Sequence, residues 1–199
     1  MAEKRYTWTV DTELDWGGRS ISYDGLDRGL PLIYKTFKKH NVRALFFVST
    51  EILQDRPSIA RDIVAHGHEL GCHGHFHFTF QEPWRQHQNM SISKTILENY
   101  CEQSRFEYRA PKFSYTFYGH GYSDPDKHIS ILRYMWYRQK VKKDTVFYLH
   151  PFDIVGGPNP PTLFCRWWYA KPRKAYETFN HLVSRYPGDI RLETSTQKT

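Results

Sequence analysis

The N-terminal half alternates short runs of β-formers with stretches whose apolar residues return every three or four positions. Tyr6 to Val10 reads as a strand, with Asp11 directly after it. Residues 11 to 28 read as a loop containing Gly17, Gly18 and Gly25. Leu30, Ile33, Tyr34 and Phe37 predict a helix with Pro31 in its first turn. Arg43 to Val48 is a buried-strand pattern. Ser58 is the expected cap of a helix carrying Ile59, Ile63 and Val64, with Gly67 past its end. Glu69 to Cys72 reads as a third strand.

Beyond it, Ile92, Ile96, Leu97 and Tyr100 predict a helix over 91–103, and Phe106 to Arg109 a strand. A helix is expected over 126–143, a strand over Val146 to Leu149, and a last helix opened by Pro172 with Ala175, Phe179, Leu182 and Val183 inward. Ile190 to Leu192 is the last strand candidate. This alternation predicts an α/β fold built on a parallel sheet or barrel, one domain over residues 1–199, with no repeat and no linker. In such folds chemistry gathers where strands end. Asp11, His73, Arg109 and His150 each directly follow a strand-like run.

Composition adds three points. No apolar run approaches the roughly 20 residues of a membrane span, and the first residues have no apolar signal segment, so a cytoplasmic protein with reduced Cys72, Cys101 and Cys165 is expected. The formal net charge is +7, which would suit an anionic partner. Arg133, Arg138, Lys140, Lys142 and Lys143 form a basic cluster, but Tyr134, Trp136 and Tyr137 among them also read as a helix core stripe, so nucleic acid is not the expected partner. The chain also has 11 histidines, five of them between His66 and His77.

His73 and His77 are four apart and could aim at one ion from a helical turn after the strand; neutral imidazoles suit Zn²⁺ and related ions. A catalytic site needs a further ligand. Asp11, Glu13 and Asp15 alternate onto one side of an extended chain, so one carboxylate could bind metal while a neighbour acts as base. His150, at the tip of the most apolar late strand, is a candidate general acid. His66, His68 and His75 read as surface or supporting residues.

Four segments, in this order, resemble the motifs of the polysaccharide deacetylase family, the NodB-homology carbohydrate esterases. They are Asp11-Thr12-Glu13, Gly67-His68-Glu69-Leu70-Gly71-Cys72-His73-Gly74-His75-Phe76-His77, Arg109-Ala110-Pro111-Lys112-Phe113-Ser114 and Leu149-His150-Pro151. The resemblance spans about residues 6 to 153. It implies a distorted, shortened (β/α) barrel and metal-dependent removal of N-acetyl groups from a sugar or glycan. By motif position Glu13, His73 and His77 would hold one divalent ion, expected to be Zn²⁺; the family more often has Asp where Glu13 stands, and Asp15 is the fallback. Asp11 would be the base held by Arg109, His150 the acid, and the backbone N–H near Lys112 an oxyanion donor. Trp16 and Phe113, with Phe76, Tyr115, Trp167 and Trp168, are candidates to stack on sugar rings. The stretch between Arg109 and His150 is short for the family, and its fourth motif, an Asp-Trp element whose carboxylate tunes the acid, is not found. His150 is therefore expected to have a less elevated pKa than such acids often have. Hydrolysis of a non-sugar cyclic amide, or an inactive glycan-binding module of the same fold, are the alternatives.

Overall fold

The computed structural model describes residues 6–17, 22–78, 82–101, 106–109, 128–157 and 162–188. Five strands, β1 (Tyr6–Thr12), β2 (Leu45–Val48), β3 (Glu69–Cys72), β4 (His128–Ser130) and β5 (Thr145–Leu149), form one sheet in the order β3-β2-β1-β5-β4. Every pairing is parallel. A bridge from Cys72 to Tyr108 adds the Phe106 segment beyond β3, where a full strand was expected. The helices are α1 (Asp24–Lys39), α2 (Ser58–Ala65), α3 (Pro83–Glu98), α4 (Ile131–Tyr137), α5 (Pro151–Val155), α6 (Leu163–Trp168) and α7 (Pro172–Arg185). No helix among the described residues is long and apolar enough to cross a membrane.

Alternation along the strands sorts the sheet into two faces. Trp8, Val10, Phe46, Val48, Leu70, Phe147 and Leu149 share one apolar core with Ile33 and Phe37 of α1, Ile59 and Ile63 of α2, Leu97 of α3 and Phe179 and Leu182 of α7. Trp8 stacks on Phe147 and meets Phe37 and Phe179 edge-on. The opposite, inner face carries Thr9, Asp11, Phe47 and Tyr148. Helices that join a single outer core, around parallel strands with a polar inner face, are the arrangement of a (β/α) barrel rather than of a doubly wound sheet. The expected fold class is therefore the observed one, as an arc of five paired strands among the described residues.

Several boundaries depart from the sequence reading. Helix α1 begins at Asp24, so Pro31 lies in its interior, on the solvent side where water can satisfy the freed carbonyl. Gly25, which read as loop, lies in α1 because that helix runs tight against α5: a Cβ there would sit 2.7 Å from the Phe152 Cβ, and one on Gly29 2.3 Å from the Pro151 carbonyl oxygen. Ser58 starts α2 without capping it, and Pro57 is the residue before. Helix α3 covers 83–98, not 91–103, and turns Asn89, Ser93 and Leu97 inward while Ile92 is exposed. The stretch 126–143 holds a strand as well as a helix. Ile129 enters the core from β4, and α4 stops at Arg138, which adopts a left-handed conformation. Ile190–Leu192 lies outside the described residues. Cys72 and Cys101 are free thiols, as expected.

Gly29→Ala tests the α1–α5 contact. Alanine is preferred over glycine within a helix by about 1 kcal/mol, but the added methyl meets backbone that cannot swing away, and overpacking costs roughly 1–3 kcal/mol. A lower urea midpoint is expected; a higher one would show that the two helices have room to part.

Candidate functional site

Because the sheet is parallel, its strands all end on one edge. Register pairs Val10 with Leu149, Thr12 with Val48 and Val48 with Cys72, so the residues that follow lie in one layer. Asp11 and Glu13 come from the end of β1, His73 from the end of β3, His150 from the end of β5, and Arg109 from the segment bridged to β3. The sequence-predicted group thus comes together, except for its oxyanion and stacking residues Lys112 and Phe113, which lie outside the described residues with Tyr115.

At the centre, one ligand atom each from Glu13, His73 and His77 lie within 4.8 Å of one another, all buried. Glu13 Oε2 is 2.7 Å from His77 Nε2 and 3.1 Å from His73 Nε2. These approaches lack hydrogen-bond geometry, and Oε2 has no hydrogen-bond partner. An orphaned buried carboxylate oxygen facing two imidazole nitrogens is what a tetrahedral cation with N and O ligands requires, so the three residues fit a divalent ion. His73 Nδ1–H donates to the Arg109 carbonyl (2.7 Å), which leaves its Nε2 lone pair aimed inward. Burial alone would raise the Glu13 carboxyl, but His77, His73 and His150 around it hold it well below the usual carboxylate range. Burial pushes His77 down, and the Glu13 carboxylate outweighs it and raises His77.

The two histidines do not meet on a helical turn. Residues 73–78 form an irregular loop, shaped by two neighbours that the sequence did not reveal. Asn89 of α3 accepts from the backbone N–H groups of His75 (3.0 Å) and Phe76 (2.9 Å) and donates to the Phe76 carbonyl (3.1 Å). From the short 3₁₀ turn Thr50–Leu53, the N–H groups of Thr50 and Glu51 donate to the carbonyls of Gly74 and His75, and Glu51 Oε1 accepts from the His77 N–H. Gly17 closes the other side: at φ +66°, a Cβ there would stand 2.9 Å from the His77 ring.

Asp11 is held by the Arg109 guanidinium, which also donates to Thr9 Oγ1 (2.7 Å) and lies 4.1 Å over the Phe47 ring. His150 Nε2 stands 3.9 Å from Asp11 Oδ2 and 3.7 Å from Glu13 Oε1. His150 caps α5 through a capping box with Asp153, whose carboxylate accepts the His150 backbone N–H (2.7 Å) and faces Nδ1 at 3.4 Å. The expectation of a modest pKa for want of a carboxylate partner is overturned here. Burial lowers His150, but Asp153, Glu13 and Asp11 together raise it to about 10. The signal was present in His150-Pro151-Phe152-Asp153, which places an acid three residues after a helix cap.

Other candidates fall outside the centre. Asp15 is fully buried and accepts from Ser22 Oγ (2.8 Å) and the Gly25 N–H (3.2 Å), so it ties down the start of α1 and supplies no ligand. Trp16 is only 8% exposed and packs on Phe152 and Tyr169, which leaves little ring for a sugar to stack on. Phe76 is 42% exposed beside the ligand loop. His68 is not a surface residue: it is buried under Phe46 and Phe37, and its Nδ1 accepts the Ala44 N–H (3.3 Å).

The polysaccharide deacetylase family model matches residues 20–118, which include the histidine segment and Arg109. The chain belongs to the polysaccharide deacetylase family. Solved structures agree at the level of the fold. A CE4 family pseudoenzyme from Bacillus anthracis superposes with a TM-score of 0.60 at 15% identity, covering 94% of this chain and 64% of its own. The polysaccharide deacetylase from Bacillus cereus gives 0.59 at 16%, covering 97% and 94%. A family 4 acetyl xylan esterase from Clostridium thermocellum, in complex with a cobalt ion, gives 0.58 at 18%, covering 94% and 87%. The chain thus spans just under two thirds of the Bacillus anthracis protein and most of the other two. No curated protein matches it.

Two outcomes follow for the 73–78 loop and the core beside it. Asn89→Ala removes three side-chain hydrogen bonds and strands the Phe76 N–H, while the His75 N–H keeps the Asn89 backbone carbonyl, so it should lower stability by about 2–4 kcal/mol at roughly 1 kcal/mol each, with Asn89→Asp milder; an unchanged denaturation midpoint would show that the loop holds itself. His68 supplies a pH test. Burial first, then the nearby His66 and Arg43 charges, push it down to about 4. The unfolded chain, with an ordinary His, binds the extra proton between about pH 6.5 and 4, so stability falls as pH drops through that window, by about 3 kcal/mol at most. Urea titrations at pH 7 and pH 4.5 should show a smaller drop in His68→Gln than in the wild type.

Proposed function

We propose that this family member is a metal-dependent hydrolase that removes an N-acetyl group from a sugar or glycan. The observation that carries the reading is the pairing of the Glu13–His73–His77 cluster with two separately supported proton carriers. A divalent ion held by those three residues would polarise the acetamide carbonyl and acidify an attacking water; two imidazoles and one carboxylate suit Zn²⁺.

The chain's own residues then divide the work. Asp11, fixed by Arg109 and not pointing its lone pairs at random, takes a proton from the attacking water. His150, whose Nε2 stands 3.9 Å from Asp11 Oδ2, is the group that would hand a proton to the leaving amine. Asp153 holds the Nδ1 side, which fixes the ring's orientation, as a carboxylate behind a catalytic imidazole does elsewhere. An amine is a poor leaving group unless protonated, so the reaction requires an acid as well as a base, and His150 near Asp11 supports that reading. The full set of seven residues favours an enzyme over an inactive module of the same fold.

Elemental analysis should find about one divalent ion per chain, lost in Glu13→Ala, His73→Ala and His77→Ala. Asp11→Asn and His150→Ala should keep the ion and lower acetate release from a small N-acetylated sugar by about 10²–10⁴, the scale of one general base or acid. Equal metal in the wild type and a His73/His77 double alanine variant would overturn the ligand set; a metal-loaded wild type that releases no acetate would overturn the reaction.

A further inference from the structure

The charge of the chain is segregated. Residues 128–188 contain ten Lys and Arg against three Asp and Glu, a formal +7, which is the net charge of the entire chain. The rest of the sequence is balanced. All ten basic residues are exposed. Clustered like charge opposes folding, so its concentration on one part of a domain points to a partner of opposite sign.

Within this region α4, α6 and α7 assemble an aromatic and basic face. Trp136 stacks on Trp167 with ring centroids 4.7 Å apart and planes 19° apart. Lys171 Nζ lies 5.0 Å and Lys174 Nζ 5.9 Å from the Trp136 centroid. Trp167 is 52% exposed, with Arg166 beside it in sequence also exposed. Trp136 is half-buried, packed against Leu132 and Met135 as a core stripe would be, while Trp167 over it stands at the surface among cations. Sugar rings lay their C–H faces on indoles, and acidic sugars add carboxylates for the lysines.

Beneath its surface the face is packed against the site. Tyr169 packs into the cluster of Leu132, Met135 and Trp136, and meets Trp16 edge-on at 4.7 Å and Phe152 at 5.6 Å. Phe152 in turn stacks on His150 at 4.9 Å. We infer that the α4–α6–α7 face binds an acidic glycan, a polymer of carboxylate-bearing sugars, on the flank of the site that carries His150. The inference rests on reading the site as a glycan deacetylase, because that reading gives a glycan, rather than a nucleic acid, reason to lie beside His150.

Fluorescence titration of the metal-loaded chain with a polyuronate oligomer, a neutral N-acetylglucosamine oligomer of equal length and a single-stranded DNA oligonucleotide tests it. Polyuronate should bind most tightly and weaken between about 50 and about 200 mM salt, as charge-driven binding does. Lys171→Glu/Lys174→Glu, a reversal of two exposed charges, should weaken polyuronate at least about tenfold; Trp167→Ala should weaken it without changing the salt slope. Acetate release from a small N-acetylated sugar should be unchanged in the Lys171→Glu/Lys174→Glu variant. Wild-type affinity in the double variant, equal affinity for the neutral oligomer, or tighter binding of DNA than of polyuronate would each overturn the inference. A wild type that binds polyuronate through these residues yet releases no acetate would support the face and overturn the reaction instead.

Discussion

Arg109 is a full positive charge with 6% exposure on the inner face of a parallel sheet. An ion there, taken out of water without compensation, costs several kcal/mol. The compensation is specific: the Asp11 carboxylate, the Thr9 hydroxyl and the face of Phe47. The same residue acts through its backbone. Its N–H donates to the Cys72 carbonyl and its own carbonyl takes the His73 Nδ1–H. One buried side chain therefore fixes the carboxylate proposed as base, while its main chain fixes the tautomer and aim of a proposed ligand. Neither can shift without exposing the charge or breaking the bridge to β3.

That constraint explains the division between the faces of the sheet. The outer face can be wholly apolar because α1, α2, α3 and α7 cover it. The inner face cannot, because it must solvate Arg109 and Asp11 with protein groups. Thr9 and Asp11 alternate with Trp8 and Val10 for this reason, so the polar positions in β1 are not breaks in a strand pattern but its second face. The acidic turn after β1 splits in the same way: Glu13 turns to the imidazoles, and Asp15, two residues on, turns to Ser22 and Gly25 and fixes the entry to α1.

Strands β1, β2, β3 and β5 and the residues at their ends were legible because a parallel sheet writes them locally: each buried run is short, β-rich and followed at once by a polar residue. Trp8, Phe46, Leu70 and Phe147 needed no tertiary information. Helix limits were not legible where tertiary contact overrode propensity. Gly25 looks like a loop residue until Phe152 is known to lie against it. Asn89 carries no sequence signal at all, since a polar residue in a helix is ordinarily solvated, and its partners are the backbone of a loop many residues away. The burial of His68 was missed for the opposite reason: a histidine-rich run suggests ligands or surface, and nothing local says that one ring of the five packs beneath Phe46.

Asp153 shows how a motif can be lost while its physics is kept. A carboxylate supplied by a separate strand–helix unit needs that unit to be present; a carboxylate at the third position of a helix needs only the helix. The capping box that ends β5 and begins α5 already requires an acid near the His150 backbone N–H, and the same Oδ2 faces the ring's Nδ1. In a shortened barrel this places the tuning charge beside the proposed acid at no cost in chain length. Family membership alone would not show whether such a barrel works, since its Bacillus anthracis relative is described as a pseudoenzyme and a fold does not fix an activity. What argues for chemistry here is that every charged partner in the cluster, Arg109 for Asp11 and Asp153 for His150, holds a group whose only other use would be to leave a buried polar atom satisfied. Apolar side chains would do that more cheaply.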